Sequence, residues 1–219
     1  MTAYIKNNRG FTLIELMVAM AIAGIVMAAI VATYQNQMRT HLTQQSIVDM
    51  HQNARAAMHL MKSEIQMAGY DPTASADATV LTATASDFRF QIDADEDGAI
   101  AGGNEDIRYA LSGTNLGRET GGAGGLQPVA ENIDALQFIY FDENLSRFTP
   151  TAGNQSELDR VRMVQVTLVA RSDDPVMAFK QVNDETYTNQ FGETVLAAPN
   201  DTSRRALLST NIWCRNMGM

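Results

Sequence analysis

Within Asp93-Ala94-Asp95-Glu96-Asp97-Gly98-Ala99, three aspartates alternate ahead of a glycine, the spacing with which a chain wraps oxygen ligands around calcium. In that reading Asp93, Asp95 and Asp97 are side-chain ligands, Gly98 makes the sharp turn and Ala99 offers its carbonyl. The second half of such a loop fails: counted from Asp93, position twelve is Asn104 where a bidentate glutamate is expected, and Glu105 comes one place late. The flanks read as strands, not helices. The alternative is a solvated acidic hairpin loop that holds no cofactor; weak calcium binding suffices where the ion is plentiful, as in a periplasm.

Other residue types that could do chemistry are poorly placed for it. His41, His51 and His59 are spaced by ten and eight, which fits neither a helical metal pair nor a nucleophile and base. They read as polar-face residues of a helix. The glycine-rich run Gly121-Gly122-Ala123-Gly124-Gly125 lacks the Lys-Ser/Thr of a phosphate cradle, and Pro128 forbids an immediate helix after it. Cys214, the single cysteine, can form no intrachain disulfide and reads as a small buried apolar residue. No catalytic cluster emerges, and the expectation is that the protein is not an enzyme.

One carboxylate stands out for its surroundings. Glu15 is followed by residues 16–38 without an acidic or basic side chain, and residues 16–32 are apolar throughout, long enough to cross a bilayer's hydrocarbon core. A bare carboxylate mid-helix costs roughly 2.5–3.5 kcal/mol on insertion scales, so Glu15 needs a partner or a proton. The leader before it carries Lys6 and Arg9 but no apolar stretch of its own, so the helix itself must do the targeting. With both cations kept inside, the chain inserts with its N-terminus cytoplasmic and everything beyond Tyr34 outside.

The elements follow from periodicity and breakers. No proline precedes Pro72 and only Gly24 interrupts residues 11–68, so one long helix is expected there. Ile47, Met50, Ala54, Ala57, Met61, Ile65 and Ala68 recur every three or four positions as an apolar stripe, with Arg55, Lys62 and Glu64 off it. Gly69 and Pro72 should end the helix. Strands are expected at 88–92, 107–111, 133–141, 160–170 and 207–213 from alternation and β-branched or aromatic content. The fold class is therefore α+β: a long N-terminal helix, membrane-spanning in its first half, packed on an antiparallel β-sheet domain.

The run Arg9-Gly10-Phe11-Thr12-Leu13-Ile14-Glu15-Leu16 resembles the type IV prepilin signal: a basic leader ending in Gly, a Phe that becomes the new N-terminus, and an early Glu. The resemblance implies that a prepilin peptidase in the inner membrane cuts between Gly10 and Phe11 and methylates the new amine. Residues 1–10 are then a leader, 11–34 the transmembrane half of the helix, 35–69 its periplasmic half and 70–219 the β-rich head. The freed amine of Phe11 on a neighbouring subunit would supply the charge that Glu15 lacks. The segments from Asn53 to Pro72, from Arg160 to Arg171 and from Arg204 to Asn216 are more loosely similar to PilW-type minor pilins, and to J-class pseudopilins of type II secretion.

This resemblance implies a minor pilin that initiates or caps pilus assembly, with other major and minor pilins or pseudopilins, the prepilin peptidase and the assembly platform as partners. Many major pilins that the chain resembles close a C-terminal loop with a disulfide and carry an intramembrane proline; this chain has neither, which suits an accessory subunit. Its formal charge of −9 falls to −11 without Lys6 and Arg9, so nucleic acid is not an expected partner. A J-class pseudopilin of type II secretion, a calcium-dependent adhesive module working through the Asp93 loop, and an unprocessed membrane-anchored sensor are the other functions left open.

Overall fold

The computed structural model describes residues 10–122, 124–173 and 182–218. Contacts divide the chain between Gln44 and Gln45 into two units, although the helix α1 (Leu13–Ile65) runs through both. In the first unit residues 10–42 are all exposed, and none of the apolar window that is long enough to span a membrane is buried. The hydroxyls of Thr33 and Thr40 donate back to the carbonyls of Ala29 and Asn36 four residues earlier, which satisfies them inside the helix.

In the second unit the stripe is the buried face: Met50, Ala54, Ala57, Met58, Met61, Ile65 and Ala68 join the core. Regular helix stops at Ile65, earlier than the periodicity suggests, and tightens into a last turn with Met67 and Ala68 amides on the Glu64 and Ile65 carbonyls. Gly69 takes the left-handed conformation (φ 76°), which favours glycine, and a Cβ there would lie 2.6 Å from Met217 Sδ and displace that side chain. Its amide donates to the Gln91 carbonyl, which ties the helix exit to the sheet.

Where one sheet was expected the chain builds several, all with antiparallel pairing. A five-stranded meander takes β1 (Val80–Ala83), β2 (Asp87–Gln91), β3 (Asp106–Ser112), β4 (Asn115–Thr120) and β5 (Gln127–Ala130) in chain order. After it come β6 (Ile133–Phe141), β7 (Arg147–Phe148), the short helix α2 (Gln155–Leu158), β8 (Met163–Arg171), β9 (Tyr187–Thr188), β10 (Thr194–Leu196) and β11 (Arg205–Trp213). A second sheet has the order β11-β8-β6-β7, and β10 with β9 forms a two-stranded ribbon.

One apolar cluster unites the helix stripe with both larger sheets. Phe88 of β2 is its hinge point, with ring centroids 5.3 Å from Phe90, 5.8 Å from Phe138 and 5.6 Å from Tyr140. The Tyr140 hydroxyl donates to the Thr84 carbonyl at 2.7 Å, and burial pushes its pKa well up. Cys214 lies in the same core; burial raises its thiol to about 12. β8 is buried on both faces because Val169 packs with Ala135 and Tyr187 on the side away from the main core.

Glu64, off the stripe, is more than a solvated residue. Its carboxylate accepts the Tyr109 hydroxyl of β3 and pairs with Arg118 of β4 at 2.8 Å, so the last helical turn is fastened to the meander. Tyr109 is fully buried, and burial together with the Glu64 carboxylate holds its hydroxyl above the ordinary range. Glu64→Ala leaves that hydroxyl and the Arg118 guanidinium without their acceptor. Chemical denaturation of the full chain in detergent should read a loss of about 1–3 kcal/mol.

Candidate functional site

Polar groups with a bearing on function gather at the head of α1 and in the loop between β2 and β3. At the first, Thr12 stands just before the helix and Glu15 lies in its first turn. The Glu15 Oε2 accepts from the Thr12 amide at 2.8 Å and from the Thr12 hydroxyl at 2.7 Å, and the Glu15 amide reaches the Thr12 Oγ1 at 3.3 Å. This is a capping box, two orphan donors of a helix start satisfied reciprocally. Glu15 is therefore not stranded in mid-helix as the apolar run suggests; it sits at the positive end of the helix dipole with one partner supplied by its own chain. The Thr-x-x-Glu spacing that signals it is plain in the sequence.

Both Thr12 bonds fall on Oε2, and among the described residues nothing bonds Oε1 or forms an ion pair with Glu15. Upstream, Gly10 and Phe11 lie outside the helix, Phe11 is 92% exposed, and a Cβ built on Gly10 meets nothing within 4 Å. The Gly10–Phe11 bond is thus irregular, accessible backbone. Lys6 and Arg9 of the expected leader lie outside the described residues.

The second place is the acidic loop. As expected, strands flank it, β2 ending at Gln91 and β3 starting at Asp106. Asp93 is fully buried; its amide donates to the Tyr70 carbonyl at 2.7 Å and its Oδ2 accepts from the Gly98 amide at 3.1 Å. Asp95 and Asp97 are exposed, and each accepts from an amide two residues on, Asp97 and Ala99 respectively. One carboxylate oxygen from each of Asp93, Asp95 and Asp97 lies within 4.8 Å of the others.

Glu105, the residue one place late for a twelfth ligand, has a different task. It is buried, and its carboxylate accepts the amides of Ala94, Ala101 and Gly102. Those amides, Gly102 foremost, outweigh burial and hold its pKa below the ordinary glutamate value. Glu105 closes the loop on its own backbone, which no sequence motif announces. The Asp97 amide pulls the Asp95 carboxyl down, but desolvation and the carboxylates of Asp97 and Glu105 prevail and raise it.

No histidine joins either place: His41 and His59 are exposed and His51 is half-buried, all on α1. The glycine-rich run is the β4 to β5 turn, with Gly121 and Gly122 at positive φ and Ala123 outside the described residues.

Comparison with known proteins places the chain in a family. The prokaryotic N-terminal methylation motif matches residues 5–31, the stretch that contains Gly10, Phe11 and Glu15. No curated protein matches the chain. In fold it is similar to a type IV-like pilin, TTHA1219 from Thermus thermophilus, with a TM-score of 0.52 and 17% identity over 78% of this chain and 100% of that one. The type IV pilus-assembly protein W signature matches residues 89–216. With more than half its length so matched, and with a methylation motif and apolar helix that fit a membrane anchor, the chain belongs to the PilW family, minor pilins that act with other pilins in pilus assembly.

Proposed function

We propose that this minor pilin is cut between Gly10 and Phe11, methylated on Phe11, and joined to its neighbours by helix packing in which Glu15 meets the amine of an adjoining subunit. The observation that carries the reading is the division of labour on one carboxylate: Oε2 is held by Thr12 while no described residue bonds Oε1. A carboxylate already oriented by a cap loses less entropy on gaining an ammonium, and that contact replaces a charge otherwise exposed to lipid. The cut creates the ammonium by turning the Phe11 amide nitrogen into an amine.

In this scheme the N-terminus begins in the cytoplasm, the apolar part of α1 spans the inner membrane and the head lies in the periplasm. The prepilin peptidase and the assembly platform are its other partners, and the chain helps to initiate or cap the filament. A photoreactive side chain at Leu16, in native membranes, should yield adducts with the N-terminal helices of other pilins, identified by mass spectrometry. Adducts confined to type II secretion pseudopilins would assign the chain to that machine instead. Absence of any pilin-like adduct would overturn helix packing as the mode of joining.

The capping box supports a second reading, in which Glu15 serves its own helix alone. The two differ in what the charge does, since a neutral glutamine can still accept the Thr12 donors but cannot neutralise an amine.

A further inference from the structure

Among the described residues Asp93 Oδ1 finds no hydrogen-bond partner, and it is buried in a residue that is itself fully buried. Its sister oxygen is engaged by the Gly98 amide, and among the described residues no ion pair involves Asp93, Asp95 or Asp97. A buried carboxylate oxygen without a donor is unfavourable enough that folded proteins supply a partner, and two further carboxylates converge on the same spot. Gathering three like charges there is costly unless a cation sits among them.

The structure assigns the Asp93 loop as a calcium site, with Asp93, Asp95 and Asp97 as carboxylate ligands, the Ala99 carbonyl as the backbone ligand and water completing the shell. Two oxygens held by one calcium at about 2.3–2.6 Å can stand no more than about 4.6–5.2 Å apart. The three carboxylates meet that limit. All the donors are oxygens, which selects a hard cation over zinc or copper. An irregular loop that offers alternate side chains and a carbonyl suits the variable shell of calcium better than the strict octahedron of magnesium.

The rest of the loop is built to hold these ligands. Gly98 is at φ 83°, and a Cβ there would lie 2.5 Å from Ser75 Oγ, so the turn fits only glycine. Glu105 pins the backbone from behind by its three amides instead of ligating. The Tyr70 hydroxyl donates to Glu96 at 2.9 Å, and Asp71 accepts the amides of Ser75 and Asp77, so the loop after α1 and the acidic loop support each other. Calcium would therefore order the surface that these two loops share, independently of how Glu15 is used.

The test is calorimetric titration of the full chain in detergent micelles with calcium chloride alone, beside a D95N/D97N variant. Both substituted residues are exposed, so the variant should fold. The expected result is one equivalent bound with a dissociation constant on the order of 10⁻³ M or tighter. Millimolar calcium should raise the thermal midpoint of the parent and not that of D95N/D97N. No heat and no shift at roughly ten times that concentration would overturn the site, as would a variant that titrates like the parent. An equal response to magnesium chloride would overturn the assignment to calcium.

Discussion

Gly10→Val should leave essentially all of the protein at full precursor mass, with residues 1–10 still attached, and absent from filaments. The substitution tests recognition by an outside enzyme and little else. Gly10 is exposed, is not among the glycines at positive φ, and has open space where the new side chain would go. Nothing among the described residues needs that glycine. The helix begins beyond it, so insertion of residues 16–38 is unchanged and the precursor collects in the membrane. Because Phe11 then keeps an amide, no ammonium forms at that position for a neighbour's carboxylate. Intact mass spectrometry of membrane and filament fractions reads both outcomes. Removal of the leader from the variant at the parent's rate would refute the assigned cut, and unprocessed protein in filaments would refute the need for the freed amine.

Glu15→Gln should reduce co-assembly with other pilins by more than tenfold, and Glu15→Ala by at least as much. The glutamine keeps a carbonyl oxygen that can accept the Thr12 amide and hydroxyl, the two bonds that Oε2 makes. It removes the charge alone. Stranding an ammonium in a buried contact costs about 3–5 kcal/mol, far beyond the roughly 1 kcal/mol lost with a helix cap. Each 1.4 kcal/mol is a factor of ten, so the two roles of Glu15 separate cleanly in a quantitative pull-down of filament complexes. Full assembly of E15Q beside a weakened E15A would leave Glu15 as a cap only. Full assembly of both would leave it without a role in joining.

Much of the fold was legible because its signals are local. The stripe from Met50 to Ala68 is buried as its spacing required, and the run at 133–141 matches β6, where β-branched and aromatic residues crowd. What escaped reading lacks such patterning. In β4 Gly117 interrupts the alternation, and β5 carries Pro128, which an edge strand tolerates because one side of it needs no ladder donors. The division into separate sheets depends on long-range pairings, such as the full register of β11 on β8, that no window of sequence contains.

The candidate sites divide along the same line. Glu15, Gly10 and Phe11 stood out because an apolar run and a motif surround them, and the Thr12 to Glu15 spacing was equally visible though its meaning depends on where the helix starts. The acidic loop announced Asp93, Asp95 and Asp97 by composition. That Asp93 is sealed with one oxygen unanswered, and that Glu105 turns inward to its own backbone, are properties of the folded loop alone. Glu64 gave no sign in sequence, since its partners come from strands 45 and 54 residues downstream.

The sealed thiol of Cys214 has a bearing on how such a subunit matures. With no second cysteine to join and a sulfur too deeply covered to ionise near neutrality, the head owes nothing to oxidoreductases or to the electron poise of its compartment. No intrachain disulfide is available to this head in an oxidising or a reducing milieu, so its folding is uncoupled from the supply of oxidant.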